Sequence, residues 1–137
     1  MGDETRIAIS SDSDIVTARQ TGRGLALQLG FSSTDLALIA TAISEVARNM
    51  SNYAGGGEIV MELSQGENGR QGIVIIAVDR GPGIPDIDLA MKDGYSTGNG
   101  LGLGLPGSRR LMDEFEVQSE PGKGTKITMK KWRPRRV

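Results

Sequence analysis

The chain contains no cysteine and no histidine. Without cysteine there is no disulfide framework and no thiolate zinc site. Without histidine there is no imidazole general base, no Ser-His-Asp arrangement and no phosphoacceptor imidazole. Aromatic residues make up 4% of the chain, too few for the stacking platforms of single-strand nucleic-acid binders. Neither sign of charge dominates, since 16 Lys+Arg oppose 17 Asp+Glu for a net charge of −1. That balance argues against a dedicated nucleic-acid partner. The longest apolar run, Ile73–Val78, falls far short of a membrane span. The opening residues MGDETR carry no apolar h-region, so no signal peptide is expected and a cytoplasmic location is.

What the chain has in excess is glycine, 20 of 137 residues, about twice the ordinary 7%. The glycines cluster between periodic segments, which predicts loops of special backbone rather than disorder. The length suits one domain over 1–137. Arg6–Ser10 predicts a short strand, and Ser11, Asp12 and Ser13 are N-cap types for a helix running to Leu29 and stopped by Gly30. Ser32–Asp35 fits a capping box. Leu36, Ile39, Ala40, Ile43, Val46, Ala47 and Met50 then form a helical stripe that ends before Gly55. Period-two alternation over Glu58–Leu63 and the β-branched run Ile73–Asp79 predict a hairpin. Gly81–Gly107 has little periodicity and is long for a structureless connection, which points to function. Ser108–Phe115 predicts a helix, and Glu116–Glu120 and Thr125–Trp132 predict strands joined by a type II turn over Glu120–Lys123. The basic stretch from Lys130 to Arg136 reads as a solvated end. The order implies an α+β two-layer sandwich, a mixed, mostly antiparallel sheet covered on one face by helices.

Three groups of residues bear chemistry. On the striped helix, Glu45, Asn49 and Asn52 share a side turned away from the core stripe. A carboxylate accepts a proton and a carboxamide oxygen ligates a hard cation such as Mg²⁺. The spacing alone is more often that of a solvated helix face. At the end of the apolar strand, Asp79 is followed by Gly81 and Gly83. This suits either a tight turn or a flat ligand whose amino group donates to the carboxylate. Before the next helix, Gly98, Gly100, Gly102 and Gly104 supply consecutive flexible amides, a cradle for polyphosphate at a helix N-terminus. Gly102-x-Gly104-x-x-Gly107 also matches the dinucleotide fingerprint, but no strand is expected before it, and the phosphate loop ending in Gly-Lys-Ser/Thr is absent.

In their order and spacing these groups, closed by Gly124-Thr125, resemble the GHKL superfamily of Bergerat-fold ATP-binding domains over nearly the whole chain. The resemblance implies an ATP site with Mg²⁺. In it, Glu45 is the general base, Asn49 the Mg²⁺ ligand and Asp79 the adenine reader supported by Thr125. Asn52 lines the nucleotide, Gly81 and Gly83 shape the adenine pocket, and Gly98, Gly100, Gly102, Leu103 and Gly104 hold the phosphates. Residues 86–99 correspond to the ATP lid. Lacking a transducer domain and a phosphoacceptor histidine, the chain looks like the stand-alone serine/threonine kinases of the anti-sigma-factor kinase family. The stretch Gly104–Phe115 is most similar to their stressosome switch kinases. That implies STAS-domain scaffold or antagonist proteins as substrates, a PP2C-type phosphatase as the partner activated on release, and no nucleic acid or membrane. The same resemblance also fits a nucleotide-dependent binding switch, or an anti-sigma factor, with little turnover. In one respect the chain departs from the family. Relatives place a basic residue before the paired glycines, suited to the γ-phosphate, where this chain has Gly100-Leu101. Arg48, Arg109 or a partner's side chain is then the candidate cation.

Overall fold

The β-branched run after Gly72 sits at the centre of the sheet in the computed structural model, which describes residues 4–66, 69–81 and 104–133. Eight elements follow in order: β1 (Thr5–Ile9), α1 (Asp12–Gln28), α2 (Ser33–Ala54), β2 (Gly57–Gln65), β3 (Gln71–Asp79), α3 (Gly104–Leu111), β4 (Glu114–Glu120) and β5 (Gly124–Trp132). The five strands form one sheet in the order β1-β2-β3-β5-β4. All four pairings are antiparallel, so the parallel component expected of a mixed sheet does not occur among the described strands.

Alternation decides which face of the sheet is covered. Ile9, Ile59, Met61, Ile73, Ile75, Ala77, Ile127 and Met129 are buried in one cluster with the apolar faces of α1 and α2. The helices therefore lie on that face, and β3, with its continuous apolar run, is central between β2 and β5. Helix α2 is flanked by α1 on one side and α3 on the other. Its start follows its sequence: Ser32 Oγ accepts the Asp35 N–H at 3.1 Å, and Gly55 closes the helix in the left-handed region at φ 73°. Gly22 lets α1 approach closely, since a Cβ there would sit 2.2 Å from Ile43 Cδ1. At the start of α1 the Asp14 carboxylate accepts from the Ser10 N–H at 2.9 Å, the Ser10 hydroxyl at 3.0 Å and the Ser11 N–H at 3.1 Å. These donors, the Ser10 backbone N–H foremost, hold its carboxyl below the usual aspartate range.

Two further expectations change. The helix after the glycine-rich stretch spans Gly104–Leu111, not Ser108–Phe115, and Glu114 and Phe115 belong to β4. The Asp113 N–H donates to the Lys130 carbonyl at 3.0 Å, so the ladder with β5 claims this segment before a further helical turn can form. The basic end is also not simply solvated. Lys131 points into the helix-covered face, is 8% exposed, and donates from Nζ to the Leu111 carbonyl at 3.0 Å. Asp113 and Asp35 face the ammonium at 3.8 and 4.0 Å. The Trp132 N–H donates to Asp113 Oδ2 at 2.8 Å, and its indole N–H donates to the Glu114 carboxylate. Among the described residues no helix is long and apolar enough to cross a membrane.

Candidate nucleotide site

Helix α2 and the facing ends of β3 and β5 carry the described residues singled out above. Burying the Leu36–Met50 stripe against the sheet turns Glu45, Asn49 and Asn52 away from the core. They are not equally open. The Glu45 side chain is 9% exposed, Asn49 is half-buried and Asn52 is exposed. A buried carboxylate needs a partner, and Glu45 has one a turn along: Arg48 Nη1 lies 2.6 Å from its Oε1. The Arg48 side chain is itself 37% exposed.

Asp79 ends β3 with one carboxylate oxygen already used, since the Gly81 N–H donates to Oδ1 at 3.0 Å. In the ladder Asp79 stands opposite Thr125 of β5. The two strands close tightly here because residue 124 is glycine. It sits at φ 90°, and a Cβ there would come 2.1 Å from the Asp79 carbonyl oxygen, so no side chain fits. Thr125 is buried, and its Oγ1 lies 2.9 Å from the Ser119 hydroxyl, which also donates to the Gly124 carbonyl at 3.1 Å. Ser119 is a support of the site that sequence reasoning missed. Its signal lies in the cross-turn register of β4 and β5, which no local pattern displays.

The α2 end of the site meets the β3 end through glycine. A Cβ on Gly81 would lie 2.8 Å from Ala54 Cα, so the chain leaving Asp79 packs against the last turn of α2. From Ala54 back to Glu45 is about 14 Å along the helix axis. One end of this face presents a carboxylate beside a glycine-walled turn, and the other presents Glu45 and Asn49. That span is comparable to an extended nucleoside triphosphate. The Asn49 carboxamide is a hard oxygen donor beside a carboxylate, a set that fits Mg²⁺ shared with phosphate oxygens and water better than a softer metal. Gly104 opens α3, and the following Gly107 and Ser108 are buried. The remaining predicted residues, Gly83, Gly98, Gly100, Gly102 and Leu103, lie outside the described residues, as does the proposed lid over 86–99.

Residues 34–135 match the family described as histidine kinase-, DNA gyrase B-, and HSP90-like ATPase. The chain is 53% identical over 132 residues to the serine/threonine-protein kinase RsbT of Bacillus subtilis (strain 168), covering 96% of this chain and 98% of that protein. It is 34% identical over 119 residues to an anti-sigma F factor of Thermoanaerobacter sp. (strain X514), covering 84% and 82%. In fold it resembles the crystal structure of the RsbU and RsbW domains of a Mycobacterium tuberculosis protein. The TM-score is 0.63 at 22% identity, over 98% of this chain and 34% of that one.

Proposed function

Because the chain belongs to the histidine kinase-, DNA gyrase B-, and HSP90-like ATPase family, we propose that it transfers the γ-phosphoryl group of ATP to a serine or threonine hydroxyl of another protein. One observation carries this reading. Glu45, a nearly buried carboxylate, shares a helix face with Asn49, and that face runs to the register pair Asp79–Thr125. The 53% identity to a protein named as a serine/threonine kinase supports the same reaction.

In this reading Asp79 accepts from the adenine amino group through the oxygen that Gly81 does not use, and Thr125, held by Ser119, supports it. Gly81 and Gly83 wall the ring, Asn52 lines the nucleotide, and Gly98, Gly100, Gly102, Leu103 and Gly104 hold the phosphates with backbone N–H groups. Asn49 would hold Mg²⁺, whose charge neutralises the triphosphate. Glu45 orients the incoming hydroxyl and takes its proton. The hydroxyl oxygen bonds to the γ-phosphorus, the bond from that phosphorus to the β,γ-bridging oxygen breaks, and ADP leaves. The acceptor proteins are STAS-domain scaffolds or antagonists. Phosphorylation releases the kinase, which then activates a PP2C-type phosphatase.

The test incubates the purified chain with Mg²⁺, γ-labelled ATP and a purified STAS-domain protein. Acid-stable label on serine or threonine of that protein, lost in Glu45→Gln, is the expected result. A complex that forms only with ATP and yields no label would replace the kinase reading with a nucleotide-dependent binding switch.

A further inference from the structure

Arg48 is a cation on the helix that carries Glu45 and Asn49, and its observed partner is the group proposed to receive a proton. Its guanidinium binds Glu45 Oε1 at 2.6 Å, and it precedes Asn49 on the chain. Helical geometry puts Arg48 on the flank of the Glu45–Asn49–Asn52 face. The two members of the pair are unequally buried, the carboxylate at 9% and the guanidinium side chain at 37% exposure. An exposed i, i+3 pair on a helix is a weak surface contact. Here one partner is enclosed and the other reaches solvent from the flank of the face that carries Glu45 and Asn49. The arginine is therefore the member free to move. It has the planar fork that binds phosphate oxygens.

We propose that Arg48 is the γ-phosphate cation of this kinase and that it alternates between two anions. In one position it is tied to Glu45 Oε1, an oxygen of the carboxylate that takes the hydroxyl proton. When ATP enters, the guanidinium shifts to the terminal phosphate and Glu45 is released. Loading the donor and freeing the base are then one event, and the absence of a basic residue at Gly100-Leu101 is made good from α2. ADP has no terminal phosphate to draw the guanidinium away, so product leaves Glu45 tied. This inference rests on the ATP-site reading above.

Calorimetry on the full chain separates the two, with Mg²⁺-ADP and a Mg²⁺-bound non-hydrolysable ATP analogue as probes. Arg48→Met should weaken the analogue about tenfold to a hundredfold, the range of a charge-assisted contact, and leave ADP within about twofold. Arg48→Lys, which keeps the charge without the fork, should recover part of the loss. Glu45→Gln weakens the competing anion, so it should tighten the analogue by about threefold and leave ADP unchanged, a response that a purely structural pair does not give. Equal effects of Arg48→Met on both nucleotides, or none on either, would overturn the inference while leaving the ATP site intact. Failure of the wild-type chain to bind either nucleotide would overturn both.

Discussion

Strand β5 carries a buried polar side chain near each end, and the two ends use them differently. Near its start, Thr125 stands beside Asp79 and takes a neutral hydroxyl partner, Ser119. Near its finish, Lys131 enters the same helix-covered face and meets a helix carbonyl and two carboxylates. At the Lys131 end the polar groups satisfy one another and join α3, β4 and the start of α2. The stronger groups of the candidate site are only partly engaged among the described residues. Asp79, at the Thr125 end, is bound by one backbone N–H, and Glu45, midway along α2, by one half-exposed arginine. Buried polarity serves the fold at one end of the sheet, and in the proposed function it serves a ligand at the other.

The contrast breaks if variants at the two ends fail alike. Glu45→Gln is expected to lower phosphoryl transfer by about a hundredfold to ten-thousandfold, while its thermal midpoint stays near that of the wild type. A collapse of both would make Glu45 a structural residue. Lys131→Met should do the reverse. It leaves Asp35 and Asp113 without their cation and the Leu111 carbonyl without its donor, at a cost of about 2–3 kcal/mol in urea unfolding. The remaining folded protein should bind ATP normally. Asp79→Asn presents a donor where an acceptor is needed. It should reduce ATP affinity in calorimetry by about tenfold to a hundredfold with little change in stability, and undiminished affinity would remove Asp79 from the adenine role.

The smallest effect sharpens the comparison from outside both ends. The Asp14 carboxyl is held below its ordinary range, chiefly by the Ser10 backbone N–H. Its stabilisation is therefore present above the unfolded-state pKa and lost as pH falls through the lower folded-state value. Asp14→Asn should be slightly less stable than wild type near pH 7, and the gap should close in acid. A gap independent of pH would assign the effect to packing.

Most of the architecture was readable because it rests on local periodicity. The α2 stripe, its Ser32 cap and its Gly55 stop are each encoded within a few residues, and so is the spacing of Glu45 and Asn49. The type II turn was also legible: Lys123 N–H donates to the Glu120 carbonyl at 2.9 Å, with Gly122 at φ 79°. What escaped depends on distant strands. Ser108–Phe115 has helical spacing, but its latter half extends because β5 offers a ladder. Lys131 lies in a run of basic residues that looks like a tail. Its burial follows from the positions of Asp35 and Leu111, which no window around it contains. The Ser119–Thr125 hydroxyl pair needs the β4–β5 register before it has meaning.

Asp79 ends β3, the central strand between β2 and β5, whereas β1 and β4 are the edges of the sheet among the described strands. Backbone amides in such a central strand exchange with solvent only when the whole domain opens, and those of edge strands exchange through smaller local fluctuations. The residue proposed to read the base is thus attached to the strand expected to exchange most slowly. Excursions that fray β1 or β4 pass without disturbing its aim, and base recognition should persist for as long as the domain itself does.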